Sequence, residues 1–352
     1  MTRNMRLLAS ASVLAAAAFA ASPAFAAGTT AGTTITNSVT LTYKVGGVDQ
    51  NSVTASDGFK VDRKVNLTVA EANTVTLSVS PGQQGAVTAF DVTNSSNAPL
   101  DFALAVSQLD GGTAAHGRTD NFDVSGVKIF VDTNNNGSFD SGTDQELSYL
   151  DQVAADSTKR VFVMADVPLG RATNDTAGIR LTATAAEATA AGSVGATVTE
   201  TTGANTAEVD TVFADTNSNG NVARDGAHFA QDDFTVLAAA LTATKTSRVI
   251  SDPFNDTTNP KMIPGAVVEY CVAVANAAGG ATASNVSITD TVPANTSYLA
   301  AFGIKINGTV TGSTCNEDGT SGGSYASGAV SATLADIAAG SARTLVFRVT
   351  VN

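Results

Sequence analysis

Apolar side chains in this chain recur at every second residue, in short runs closed by Gly, Pro or Asn. Val39, Leu41, Tyr43 and Val45 keep that spacing, as do Val75, Leu77 and Val79, and Leu100, Phe102, Leu104 and Val106. Val127, Ile129 and Val131 follow, then Val161, Val163 and Ala165, then Ile179, Leu181 and Ala183, and near the end the runs over 267–276 and 343–351. A period of two sends alternate side chains to opposite faces of a strand, so each run has one face for a core and one for water. Gly46-Gly47, Pro81-Gly82 and Pro264-Gly265 supply turn chemistry between the runs. The apolar share is mostly Ala and Val mixed with Thr, Trp is absent, and aromatics make up only 6%, a composition of half-solvated β surface. The expected fold class is all-β, in tandem β-sandwiches.

Residues 1–26 read as a cleaved secretory signal peptide. Arg3 and Arg6 form a basic start, residues 7–21 an apolar run, and Ala24-Phe25-Ala26 a small-x-small site before Ala27. The apolar run falls below the roughly 18 residues of a spanning helix, and no later run approaches that length, so no transmembrane segment is expected in the mature chain. Cleavage moves the formal charge from −13 to about −15. Such a surface repels nucleic acid and anionic lipid and attracts divalent cations. The expected location is secreted or at the cell surface.

After the signal peptide the chain divides into an N-terminal β-hairpin and strand segment over 27–72, an enlarged β-sandwich with Asp/Asn-rich loops over 73–240, and a C-terminal sandwich over 241–352. In the first, Gly46-Gly47 turns the chain and 48–56 returns. Phe59, Val61, Val65, Leu67 and Val69 then mark a longer strand whose apolar face Arg63 interrupts. The alternating segment 29–45 has a second possible use, addition to the sheet edge of a neighbouring subunit; the hairpin within the chain is the preferred reading. The order strand, Pro-Gly, strand ending in Asn occurs at Pro81-Gly82 to Asn94 and again at Pro264-Gly265 to Asn276, which suggests two divergent copies of one architecture. Residues 233–250 read as one long strand that closes the middle domain and opens the last, a stiff joint rather than a flexible tether.

Both cysteines, Cys271 and Cys315, fall in the last domain, and an exported pair is expected to oxidise. Tyr270, Val272 and Val274 share one strand face and Cys271 points to the other, so the bond would pin the loop bearing Cys315 to the outer face.

The last third of the chain also carries a set of features in fixed order. They are Lys245, Pro264-Gly265, Val268-Glu269-Tyr270, Val274-Ala275-Asn276, an Ala-rich loop, Asn285-Val286, Thr289-Asp290-Thr291-Val292-Pro293-Ala294, and Ala339-Gly340 before the closing strand. As a set they resemble the repeat domain of bacterial cell-surface proteins known as domain of unknown function number eleven. That resemblance implies an immunoglobulin-like sandwich, hence tandem immunoglobulin-like β-sandwiches after a cleaved signal peptide, on an envelope or in an extracellular matrix. It implies no enzymatic activity and carries no catalytic residue. Residues 27–70 resemble the mature starts of such proteins in Gram-negative bacteria.

Two loops read D-x-N-x-N-G. The first has Asp132, Asn134, Asn136 and Gly137, with Ser138, Asp140 and Asp144 following; the second has Asp215, Asn217, Asn219 and Gly220, with Asn221 and Asp225 following. Calcium takes six to eight oxygens, and side chains at positions 1, 3 and 5 of a tight loop supply three from one side, with glycine at position 6 allowing the turn. Thr143 stands where an EF-hand has its bidentate Glu, and the flanks alternate like strands. The other reading is a connecting loop without metal, since Asp, Asn and Gly are what turns prefer. Both readings stay open, and calcium is the one cofactor these loops suggest.

His116 and His228 stand in no metal-ligand spacing and read as solvated loop residues, and no P-loop is present. The expectation is a non-enzymatic structural or interaction protein whose partners are other surface proteins or copies of itself in a homopolymer. The alternative is a calcium-dependent adhesin for carbohydrate or protein, with Tyr298, Phe302 and Tyr325 as the aromatics on which a sugar could stack.

Overall fold

The computed structural model describes residues 28–189, 191–218 and 220–352, so the signal peptide assigned to 1–26 lies outside the described residues, as does Asn219. All helical and strand elements among the described residues are strands. The fold is all-β and built from tandem β-sandwiches.

The middle sandwich packs two five-stranded sheets. One runs, edge to edge, Gln145–Glu146, Ser125–Val131, Ser157–Asp166, Ala86–Asn94 and Leu67–Glu71; the other runs Tyr149–Val153, Leu100–Gln108, Thr176–Glu187, Ala227–Val236 and Leu77–Val79. The alternation in sequence becomes alternation of burial, and Leu67, Phe90, Val92, Phe102, Val163, Leu181 and Phe234 meet in one core between the sheets. The C-terminal sandwich repeats half of this plan. Its large sheet runs Leu241–Ser251, Val267–Asn276, Ala342–Val351, Ile304–Gly308 and Thr320–Ser321, facing a small sheet of Ser287–Thr291, Ala329–Thr333 and Ser324–Ala326.

The two copies match in register as well as in order. Leu67 opens its strand opposite Asn94, and Leu241 opens its strand opposite Asn276. Each asparagine is buried and does the same work. Asn94 Nδ2 donates to the carbonyls of Ala98 (3.0 Å) and Val153 (2.8 Å). Asn276 Nδ2 donates to those of Ala281 (2.8 Å) and Ile337 (2.9 Å). A carboxamide at the end of a strand thus ties its own loop to a distant one, satisfying carbonyls that would otherwise be buried without a donor.

On the outer face of the C-terminal sheet Cys271 and Cys315 form a disulfide with Cα atoms 5.7 Å apart. The pair clusters with Val346 and Phe302, apart from the main core of Val268, Val272, Val274, Ile304, Leu345 and Phe347. Beside it Glu269 is buried between Arg248 and Arg348 (2.7 and 2.8 Å), one arginine from each flanking strand. Arg348 also lies 3.9 Å over the Phe302 ring. The side-chain parity in the sequence therefore held for both faces.

Two expectations need correction. The segment 27–72 is not one unit. Arg63–Val65 and Leu67–Glu71 belong to the middle sandwich, where Val65, Leu67 and Val69 are core residues. The stretch breaks where the backbone changes partner: Val53–Lys60 pairs with Thr34–Leu41, Arg63–Val65 runs parallel to Thr211–Phe213, and Leu67–Glu71 pairs with Ala86–Asn94. The Arg63 guanidinium meanwhile pairs with the Glu187 carboxylate (2.5 and 2.7 Å) and Thr211 Oγ1 (3.1 Å). Nor is 233–250 a single strand: Ala227–Val236 and Leu241–Ser251 are separate, with four residues between. There the backbone groups are taken from both sides. Ala238 exchanges hydrogen bonds with Thr173 Oγ1 (3.0 Å each way), Ala281 N donates to Ala238 O (3.0 Å), and Ala240 N donates to Asn276 Oδ1 (3.1 Å). Gly280 sits against this joint, and any side chain there would meet Ala238 O at 2.3 Å. The joint is short and pinned, but by loops rather than by a shared strand.

Candidate functional site

Residues 34–60 stand outside both sandwiches as a hairpin. Thr34–Leu41 pairs antiparallel with Val53–Lys60 from Thr34↔Lys60 to Leu41↔Val53, and every residue of both strands is exposed. Its base is held: Asn97 Nδ2 donates to the carbonyls of Thr29 and Asp62 (3.1 and 2.8 Å), and Lys60 pairs with Glu208 (2.6 Å). The register sorts its side chains. Ile35, Val39, Leu41, Val53, Ala55 and Phe59 share one face with Asn37 and Asp57, while Thr34, Thr36, Ser38, Thr40, Thr54, Ser56, Gly58 and Lys60 share the other. The apolar face lies open, with Val39 62% and Phe59 63% exposed. Tyr43, Val45 and Val48 extend the exposed apolar surface around the turn.

The Asp132 loop closes a second hairpin, between Ser125–Val131 and Gln145–Glu146. Asp132 is buried and accepts from the backbone N–H groups of Asn136 (3.2 Å) and Gly137 (2.8 Å). Asp144, also buried, accepts from those of Thr133 (3.2 Å) and Asp140 (2.8 Å). Asn134 and Asn136 both donate to Asp140 Oδ2 (2.9 and 2.5 Å), which holds the Asp140 carboxyl below its usual range. Phe139 anchors the loop edge-on between Phe130 and Phe162. Five of the six side chains named from the sequence are thus drawn into one network; Ser138 enters it by its backbone N–H alone (2.8 Å to Asn136 Oδ1).

The Asp215 loop is built differently. Asp215 accepts from the N–H groups of Asp225 (3.2 Å) and Gly226 (3.1 Å), and Asp225 from that of Ala227 (3.0 Å). Asn221 turns away to bond both backbone groups of Phe229 (2.6 and 3.1 Å), and Asn217 is exposed. The carboxylate and the carboxamide serve different backbone segments and do not converge. Gly319-Thr320-Ser321-Gly322-Gly323 has the spacing of a nucleophile elbow. It lies on the two-residue Thr320–Ser321 strand with no helix after it, and Ser321 Oγ accepts from Lys305 Nζ (2.8 Å).

Neither histidine is a solvated loop residue. His228 is 3% exposed within the Ala227–Val236 strand, accepting from Val69 N at Nδ1 (3.0 Å) and facing Ser218 Oγ at Nε2 (3.0 Å). Burial holds its pKa down. His116 is drawn inward by its backbone N–H, which donates to Asp233 Oδ2 (2.9 Å). Its ring lies among carboxylates: Nε2 is 3.2 Å from Glu71 Oε1, and Nδ1 is 3.3 Å from Asp233 Oδ1 and 3.8 Å from Asp232 Oδ1. Asp232 accepts from Thr88 Oγ1, from Asn73 Nδ2 (3.3 Å) and from Asp233 N (2.7 Å). Burial pushes the Asp232 carboxyl up to about 7, and raises Glu71 as well. This cluster went unread in the sequence, where its one available signal was the pair Asp232-Asp233: adjacent acids within an alternating strand cannot both face water.

Of the aromatics proposed for sugar stacking, Phe302 lies beneath Arg348, and Tyr298 and Tyr325 stack on each other with centroids 4.3 Å apart. Among the described residues no helix is long and apolar enough to cross a membrane.

No protein-family model matches this chain, and no curated protein does. Several solved structures align with this chain at low TM-scores. The C-terminal domain of the AgI/II polypeptide BspA from Streptococcus agalactiae aligns at a TM-score of 0.32 and 10% identity, over 81% of this chain and 91% of that one. The CupB6 tip adhesin from Pseudomonas aeruginosa aligns at 0.24 and 10%, over 83% and 91%. The collagen adhesin (CNA) from S. aureus aligns at 0.20 and 12%, over 83% and 84%. Likeness at this level assigns neither a ligand nor an activity.

Proposed function

We propose that this is an exported, non-enzymatic structural or interaction protein of the bacterial surface or extracellular matrix, and that its copies associate through the 34–60 hairpin. The observation that carries the reading is the open apolar face of that hairpin. A two-stranded hairpin is at best marginally stable alone in water, and an apolar face of this kind is covered in a working protein. A second copy is the occupant that fits. The chain as a whole is strongly acidic, so two copies repel over most of their surface. The apolar hairpin face carries one acid, Asp57, and the hairpin as a whole balances Asp49 and Asp57 against Lys44 and Lys60, so repulsion there is weak. Both outer edges of the hairpin are also unpaired, which leaves them able to extend a neighbour's sheet and so to polymerise by strand addition. The basic, apolar and small-residue order of 1–26 supports export, and the resemblance of the last third to a surface repeat supports the location. Calcium at the Asp132 loop would stiffen the middle sandwich.

Sedimentation velocity across a range of protein concentrations tests association. The unmodified mature chain should form larger species as concentration rises, and the variant Val39→Thr/Leu41→Thr/Phe59→Thr, which keeps β propensity, should stay monomeric. A wild-type protein that remains monomeric throughout would remove the proposal.

A further inference from the structure

We propose that Glu71, His116 and Asp232 form a binding site for one divalent transition-metal ion of zinc-like preference, a site independent of the hairpin and of both Asp/Asn loops. Glu71 ends the Leu67–Glu71 strand of one sheet, Asp232 lies mid-strand in the opposite sheet, and His116 comes from the loop between Leu100–Gln108 and Ser125–Val131. One ligand atom from each lies within 4.8 Å of the others. A tetrahedral ion with bonds of about 2.1 Å spaces its ligands about 3.4 Å apart, so side-chain shifts of about an ångström close the shell.

A second observation points to a ligand. Asp233 is 1% exposed, and its Oδ1 has no hydrogen-bond partner although it faces His116 Nδ1. His116 Nδ1 and Glu71 Oε1 are likewise buried without a hydrogen bond. Orphaned buried polar atoms are rare in folded proteins, and here three lie around one imidazole, Glu71 Oε1 on its Nε2 side and Asp233 Oδ1 on its Nδ1 side. Three carboxylates, from Glu71, Asp232 and Asp233, surround a single imidazole, and one imidazolium cannot balance them all. A divalent ion held by Glu71, Asp232 and one ring nitrogen supplies the missing positive charge beside Asp233. The imidazole nitrogen decides the class: calcium and magnesium prefer all-oxygen shells, whereas zinc and its neighbours accept mixed nitrogen and oxygen ligands. A cleft of about 510 Å³, lined in part by Glu71, Ala114 and Ala115, opens beside the cluster and gives an ion a way in. A bound ion would bridge both sheets and fasten the His116 loop across them.

The test uses the mature chain, stripped of metal by a chelator and then given zinc alone. One equivalent should remain after desalting, and the melting temperature should rise. His116→Gln and Asp232→Asn should each abolish the retained equivalent, while Asp132→Asn should keep it. Because the chain has only two histidines, the wild type offers a readout that needs no variant to fold. Zinc should shift the ring resonances of His116 and leave those of His228 in place. Retention of no zinc, retention unaltered by His116→Gln, or a shift confined to His228 would each overturn the site; in the first case protons alone balance the cluster.

Discussion

Glu269 lies beneath the outer face of the C-terminal sandwich with both carboxylate oxygens taken by arginine, Oε1 by Arg248 and Oε2 by Arg348. Glu317 also contacts both guanidinium groups, but it is exposed and cannot replace a buried partner. Glu269→Ala should cost about 3 kcal/mol, the usual loss when one member of a buried ion pair goes. Urea unfolding measures it, and a loss within experimental scatter would contradict the reading. His228 predicts a pH effect instead. Burial lowers its folded pKa, so the unfolded chain takes up a proton below about pH 6.5 that the folded chain refuses. Its contribution is therefore complete above that pH and is lost as pH falls through the window beneath it. His228→Asn places an acceptor near the Nδ1 position and cannot titrate, so its stability should fall less than wild type between pH 7.5 and pH 5. Equal losses would show that His228 is protonated as readily folded as unfolded. Asn94 and Asn276 were legible in the sequence because a strand-ending asparagine after a Pro-Gly turn recurs. His228 was not, since its partner Val69 is 159 residues away and no local pattern marks it.

The disulfide loop, the two Asp/Asn loops and the hairpin are elements whose local sequence said much and whose surroundings it could not say. Side-chain parity placed Cys271 on the outer face, and the Cys271–Cys315 bond spans a sequence separation of 44. Replacing both cysteines by serine should cost up to roughly 4 kcal/mol on the chain-entropy account. The loss should appear in unfolding of the C-terminal sandwich and leave the middle one unchanged, which tryptic mapping of partly unfolded protein would read. The two D-x-N-x-N-G loops looked alike, yet they differ in what lies beside them. Asp132 and Asp144 are held together in one network, while Asn221 is committed to Phe229. Calcium should therefore raise the melting temperature relative to EDTA, and Asp132→Asn should erase that difference. Asp215→Asn should lower stability equally in both conditions. Identical melting of wild type in calcium and EDTA would leave the first loop a purely backbone-capped turn. The boundary near residue 72 falls elsewhere for a related reason: the alternation runs on from Phe59 to Val69, while the backbone partner changes from Thr34–Leu41 to Thr211–Phe213 and then to Ala86–Asn94, a switch that no local spacing marks.

At the scale of the whole molecule, two copies of one sheet plan are joined by residues 237–240, whose backbone is bonded to loops of both sandwiches. A pinned joint of this length resists bending, and every residue of the two long strands of the hairpin at the far end of the chain faces solvent. The tandem plan was visible in the sequence as repeated turn chemistry. That the hairpin projects was not, because an apolar face has the same spacing whether its own chain or another covers it. Negative-stain images of assembled material should show end-linked or laterally joined units, and hairpin variants should show single ones. The most direct measurement is amide hydrogen exchange of residues 34–60 in wild-type protein at increasing concentration. In dilute monomer these amides should exchange rapidly, and protection should appear in step with assembly while the sandwich cores stay unchanged. Exchange in the hairpin that is equally slow, or equally fast, from the most dilute to the most concentrated sample would contradict association through this face.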